Sequence, residues 1–134
     1  MRRLFADTYF YLAMLNPRDA GHRRAMKMFE AGGVGEIVTT TAVLMEMADG
    51  MARIGERMRL IRFVDRLRSD SRTRLVETDA ARYWRGFDLY RSRPDKEWSL
   101  TDCISFVVMA EEGIAEALTG DHHFEQAGFV ALLK

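Results

Sequence analysis

With 134 residues, 48% of them hydrophobic and 30% charged, the chain is long enough to bury one core and too apolar to remain disordered. Its formal net charge is zero, so overall charge does not mark a nucleic-acid binder, and its longest apolar runs are strand-length or broken by charge, which excludes a membrane span. Cys103 is the only cysteine, which excludes an internal disulfide and makes a reducing cytoplasm the expected compartment, and no small-residue cleavage site follows Arg2 and Arg3, so no secretory leader is expected.

Leu4-Phe5-Ala6 reads as a short buried strand ending at Asp7-Thr8, followed by a helix from Tyr9 to Leu15. Asn16-Pro17-Arg18-Asp19 is a turn whose last residue can cap a second helix running through Phe29, and Gly32-Gly33-Val34-Gly35 breaks that helix. Ile37 to Thr40 is β-branched throughout and predicts a second strand. A helix over Thr41–Arg53 carries Val43, Leu44, Met47 and Met51 at core spacing. Gly55 is expected to separate it from an arginine-rich helix, Glu56–Arg68, with Met58, Ile61, Phe63, Val64 and Leu67 as its apolar members. Thr73–Glu77 predicts a third strand, and Asp79 caps a helix bearing Tyr83, Trp84, Phe87 and Tyr90 that ends before Pro94. Ser99–Glu112 is the most apolar helix, closed by Gly113. Ala115–Thr119, the turn Gly120-Asp121, a short helix His122–Ala127 and a terminal strand Phe129–Leu133 complete the chain. Strands alternating with helices predict an α/β fold: a three-layer α/β/α sandwich around a mostly parallel sheet of four to five strands, in a single domain over residues 1–134.

Zero net charge conceals an asymmetry. Eight arginines lie between Arg53 and Arg74 against three acids, whereas eight acids lie between Asp95 and Lys134 against two lysines. Arginine grips phosphate through a planar fork, so this stretch permits contact with an RNA backbone through residues such as Arg53, Arg57 and Arg62; it equally describes a solvated helix face.

Four acids sit in unusually apolar or strand-end surroundings: Asp7 after the first strand, Glu46 between Met45 and Met47, Asp102 before Cys103-Ile104-Ser105-Phe106, and Asp121 after the fourth strand. Each has a plain alternative. Asp7 and Asp121 fit N-caps, Ser99-x-x-Asp102 fits a capping box, and Glu46 fits an exposed stripe beside Asp49. In a parallel sheet, however, the first and fourth strands end on the same edge, and a helix beginning there brings Asp102 with it. Converging carboxylates repel one another unless a cation joins them, and oxygen-only donors suit Mg²⁺ or Mn²⁺, whose chemistry serves phosphodiester hydrolysis.

Leu4-Phe5-Ala6-Asp7-Thr8-Tyr9, Thr40-Thr41-Ala42-Val43-Leu44-Met45-Glu46, Trp98-Ser99-Leu100-Thr101-Asp102-Cys103-Ile104-Ser105-Phe106 and Ala117-Leu118-Thr119-Gly120-Asp121-His122-His123-Phe124, in that order, resemble the PIN-domain family, particularly VapC-like toxins of toxin–antitoxin pairs. The resemblance covers essentially the whole chain. It implies a metal-dependent endoribonuclease that is usually dimeric and is blocked by a cognate antitoxin. Carried over by position, Asp7 and Asp102 match the principal metal-binding acids, Glu46 the second acid of the quartet and Asp121 the fourth. Thr8, Thr101 and Ser105 match polar neighbours that hold water or orient carboxylates.

Other readings stand beside this one. A non-catalytic nucleic-acid- or protein-binding module would use the same acids as caps, and a PIN nuclease can process RNA without being a toxin. A phosphoacceptor domain would want a second acid near Asp7-Thr8-Tyr9, which is absent. His122-His123 suggests a zinc site, but adjacent helical residues are expected to point apart, with no third soft ligand in view. Cys103, beside an acid, suits a buried position better than nucleophilic catalysis.

Overall fold

The computed structural model describes residues 2–30 and 34–134. Its elements, in chain order, are β1 (Arg2–Ala6), α1 (Thr8–Leu15), α2 (His22–Glu30), β2 (Val34–Thr40), α3 (Thr41–Gly50), α4 (Ile54–Ser69), β3 (Thr73–Val76), α5 (Ala80–Ser92), α6 (Leu100–Glu112), β4 (Glu116–Leu118), α7 (His122–Gln126) and β5 (Val130–Ala131). Every strand pair is parallel, and the sheet order is β3-β2-β1-β4-β5. The chain thus steps one way from β1 to β3 and then crosses back over the sheet to β4 and β5. Right-handed crossovers place the two sets of helices on opposite faces, giving the three-layer α/β/α fold expected from the alternating pattern.

The core explains the strand choices. Leu4, Phe5 and Ala6 of β1 and Ile37 and Val38 of β2 are essentially inaccessible, as a strand covered on both faces requires. Gly113 takes a left-handed conformation (φ 67°) and ends α6, with the Ile114 N–H reaching back to the Met109 carbonyl. Phe124 of α7 packs against Phe5 of β1 and Phe106 of α6, fixing the short last helix to both sheet and helix layer.

Several boundaries move from where the sequence put them. Gly32 and Gly33 lie outside the described residues, but Val34 and Gly35 belong to β2, whose register against β1 shifts between Arg2 and Arg3. Asp19 shapes a turn by accepting from the Gly21 N–H at 2.7 Å, and α2 begins only at His22. The third helix stops at Gly50, so the break precedes Gly55, which sits inside the first turn of α4; extended backbone at Arg53 restarts the helix. On α4 the core takes Leu60 and Leu67, whereas Met58 and Ile61 face outward.

The opposite, amino edge of the sheet is closed by charge pairing. Arg3 donates to the carboxylate and main-chain carbonyl of Glu112 and reaches Glu36, while Arg2 pairs with Glu116 and Arg74 with Glu112. Against the outer layer, α5 meets α6 at Gly86, where a Cβ would stand 2.5 Å from Ile104 Cγ1 and 3.2 Å from the Ile104 backbone. Gly86→Ala is therefore expected to destabilise the fold by about 1–2 kcal/mol despite alanine's better helix propensity, because the backbone contact cannot yield. Urea unfolding checks this: an unchanged or raised midpoint would show that α5 moves away from α6 freely.

Candidate active site at the carboxyl edge

The strand order reverses between β1 and β4, which opens a crevice at their carboxyl ends. Ala6 and Leu118 are register partners there, so the next residues of each strand, Asp7 and Thr119, meet across the gap. The Thr119 hydroxyl donates to Asp7 Oδ2 at 2.8 Å, and the Phe10 N–H donates to Oδ1 at 3.2 Å, so Asp7 caps α1 as well. Thr39, from the neighbouring β2, donates to the Ala6 carbonyl at 2.8 Å and holds the residue before Asp7. Asp7 is 6% exposed. Burial drives its carboxyl from 3.8 to about 7; the bonds from Thr119 and Phe10 oppose the rise, while the charges of Asp121 and Asp102 add to it.

Asp102 enters on the first turn of α6. With Ser99 it forms the capping box expected from the sequence: Ser99 Oγ accepts from the Asp102 N–H at 3.0 Å, and Asp102 Oδ2 accepts from the Ser99 N–H at 3.1 Å. Its carboxyl is also raised, first by burial and further by Asp121. Asp121 caps α7, accepting from the His123 N–H at 2.9 Å, and its own N–H is held by Thr119 Oγ1 at 3.0 Å. The structure therefore brings Asp7, Asp102 and Asp121 together. Cap and cluster are compatible descriptions, since each capping bond leaves carboxylate oxygen capacity over.

Glu46 is the fourth acid that the sequence singles out. It is half-buried on α3 and lines an open cleft with Thr41, Asp49, Leu100 and Thr101, where α3 and α6 both begin. Thr101 faces this cleft, and its carbonyl accepts from the buried Ser105 hydroxyl at 3.0 Å. Thr8, beside Asp7, has a buried hydroxyl oxygen with no hydrogen-bond partner among the described residues. The arginines lie elsewhere. Arg59 donates to the Leu15 carbonyl, and Arg59 and Arg62 share a hollow with Leu15 at the far end of α1 from Asp7. Arg53 and Arg57 are exposed at the start of α4.

Two participants were not legible as such. Thr119 looked like an ordinary strand residue, and only the β1–β4 register shows that it faces Asp7. His123 was expected to point away from its neighbours, yet its Nδ1 lies 3.0 Å from Asp102 Oδ2 and 3.4 Å from Asp121 Oδ1. The rings of His122 and His123 approach to 4.5 Å, and one donor atom from each, with one from Asp121, falls within a 4.8 Å cluster. Cys103 is buried, and burial, with Asp102 adding to it, pushes its thiol up to about 11, away from nucleophilic use.

The donor set fits a hard divalent cation. Three carboxylates face one crevice, two of them strained toward the neutral form, and among the described residues no lysine or arginine pairs with any of the three. The amino edge, built from the same sheet, has its acids neutralised by arginine; at the carboxyl edge, among the described residues, only histidine meets the acids. In such a setting the folded, metal-free protein holds the Asp7 proton more tightly than the unfolded chain does. The stability it confers is complete below about pH 4 and is lost as pH climbs to about 7. In EDTA at about pH 8, Asp7→Asn is expected to be more stable than the parent by a few kcal/mol, a difference that vanishes toward about pH 4. Urea titrations across that range check it, and parallel pH profiles for the two proteins would contradict the buried-carboxylate account.

The PIN domain family model matches residues 4–130. The 23S rRNA-specific endonuclease VapC20 of Mycobacterium tuberculosis (strain CDC 1551 / Oshkosh) is 30% identical over 128 residues, covering 95% of each chain. The crystal structure of Mycobacterium tuberculosis VapC20, described as a Sarcin-Ricin loop cleaving toxin, superposes with a TM-score of 0.86 at 28% identity over 96% of this chain and 98% of that one. VapBC2 from Rickettsia felis, bound to a promoter DNA fragment, shares the fold with a TM-score of 0.67 at 12% identity, covering 96% of both chains.

Proposed function

This chain belongs to the PIN-domain family, and from that premise we propose that its carboxyl-edge acids hold Mg²⁺ or Mn²⁺ and hydrolyse RNA phosphodiester bonds. It is a VapC-type toxin endoribonuclease. The observation that carries the site is the meeting of Asp7, Asp102 and Asp121 in one crevice, where no lysine or arginine among the described residues pairs with any of them. Asp7 and Asp102 are the principal holders of the ion, with Asp121 beside them and Glu46 approaching from α3. When bound, the ion neutralises the scissile phosphate and activates water for attack.

The chain's own groups supply the rest. Thr119 bonds Asp7 Oδ2 and the Asp121 N–H with one hydroxyl oxygen, so it sets the spacing of the two strand-end acids. Ser99 holds one oxygen of Asp102. Thr8 and Thr101, each next to one of these acids, offer hydroxyls for water, and Ser105 ties its helix turn behind Thr101. RNA approaching this acidic crevice needs cationic guidance, for which Arg53, Arg57 and Arg62 on α4 are the candidates. The same helix carries an outward apolar stripe, Ile54, Met58 and Ile61, with exposures of 93%, 54% and 48%. That i, i+4, i+7 spacing suits burial against protein, and it supports a homodimer and a small antitoxin as partners. None of the described helices is long and apolar enough to cross a membrane, and the cytoplasm is the proposed compartment.

Purified protein incubated with RNA in Mn²⁺ is expected to cleave it, and EDTA to stop the cleavage. Asp7→Asn and Asp102→Asn are each expected to lower turnover by at least about 100-fold with the fold intact. Undiminished cleavage by both variants would remove the carboxyl edge as the catalytic centre.

A further inference from the structure

His123 turns both its backbone N–H and its ring Nδ1 to the acids of the crevice. Its backbone N–H donates to Asp121 Oδ1 at 2.9 Å, and its ring Nδ1 meets Asp102 Oδ2 at 3.0 Å with Asp121 Oδ1 3.4 Å away. Nδ1 therefore faces two carboxylate oxygens, and Asp102 Oδ2 already accepts from the Ser99 N–H. When ionised, both oxygens are acceptors, and Nδ1 is the ring nitrogen turned toward them. The ring is only 19% exposed, and its place is set by the next residue, since the fully buried Phe124 is wedged between Phe5 and Phe106.

Resting on the ribonuclease reading above, we propose that His123 is a positioning residue: it clamps Asp102 of α6 to Asp121 of α7 and fixes the Asp102 carboxylate for the cation. With Ser99 and His123 both on Oδ2, Oδ1 is the Asp102 oxygen that has no hydrogen-bond partner among the described residues. Without the imidazole, a single main-chain N–H holds the Asp102 side chain, and the carboxylate can rotate away from Asp121. Partners that hold a metal ligand in this way tune affinity without touching substrate. Here the imidazole contributes geometry, because its Nδ1 is turned to the two carboxylates it links.

The test separates the two ring nitrogens. An asparagine side chain places its amide N–H close to the position of imidazole Nδ1, whereas glutamine places it near Nε2. Mn²⁺ alone is titrated into wild type, His123→Asn, His123→Gln and His123→Ala, with free ion followed by electron paramagnetic resonance and folding by thermal melts in EDTA. Mn²⁺ affinity is expected to fall about 10–100-fold in His123→Gln and His123→Ala and to be retained within about threefold in His123→Asn. In RNA cleavage at subsaturating Mn²⁺ the same two variants should lose kcat with KM for RNA unchanged. Should His123→Gln fail to fold, the contrast between His123→Asn and His123→Ala carries the test. Loss of affinity in His123→Asn as deep as in His123→Ala would overturn the proposal in favour of direct ligation. Retention in all three, with Mn²⁺ binding lost in Asp102→Asn, would remove His123's role and leave the ribonuclease reading standing. Failure of wild type to bind Mn²⁺ would remove both.

Discussion

Asp7 is a carboxylate placed where a hydrophobic core ends, directly after three inaccessible residues of the central strand, and the carboxyl edge is organised around the cost of keeping it there. Two hydrogen bonds, from Thr119 and from the start of α1, offset part of that cost. They do not offset all of it, because the carboxyl still shifts to about 7, and two further acids are brought within reach of its charge. A fold that only needed caps for its helices had no reason to stack them against one another. A cation in the crevice would favour the ionised form of all three acids, which is what a hydrolytic metal centre supplies.

The contrast between the two ends of the same sheet sharpens that point. At the amino edge every acid that crosses between elements meets a guanidinium: Glu36 and Glu112 meet Arg3, and Glu116 meets Arg2. Those pairs are partly exposed and contribute little energy individually, but they show that this chain has arginines to spare where neutralisation is useful. None of the described arginines pairs with Asp7, Asp102 or Asp121, and those of α4 lie at a distance from the three acids.

Much of this was legible in the sequence because it depends on local signals. The alternation of β-branched runs with capped helices gave the parallel sheet, and parallel strands order their carboxyl ends on one edge. The Ser99-x-x-Asp102 spacing gave the capping box, and Gly113 gave the end of α6. What could not be read depends on register and packing. Nothing in Ala-Leu-Thr-Gly-Asp says that Thr119 faces Asp7; that follows from Ala6 pairing with Leu118. His123 appeared to diverge from its neighbours because helical spacing alone places it. Its ring is aimed by Phe124 and by the approach of α6, neither of which leaves a trace in local periodicity. Glu46 is the intermediate case, since its apolar context singled it out, and the fold sets it in a cleft with Thr101, the residue before Asp102. Met58 and Ile61, named as apolar members of that helix, are exposed, because helical periodicity identifies an apolar face without saying whether this chain or a partner covers it.

The central claim is that the carboxylates of β1, α6 and α7 share one cation. Crystals soaked in Mn²⁺ and measured for anomalous scattering test it directly. A peak about 2.1 Å from carboxylate oxygens of Asp7 and Asp102, with Asp121 in the same coordination sphere directly or through water, is the result this account requires. Strong Mn²⁺ peaks elsewhere on the molecule, with the crevice empty and Asp7 still buried against Thr119, would contradict it.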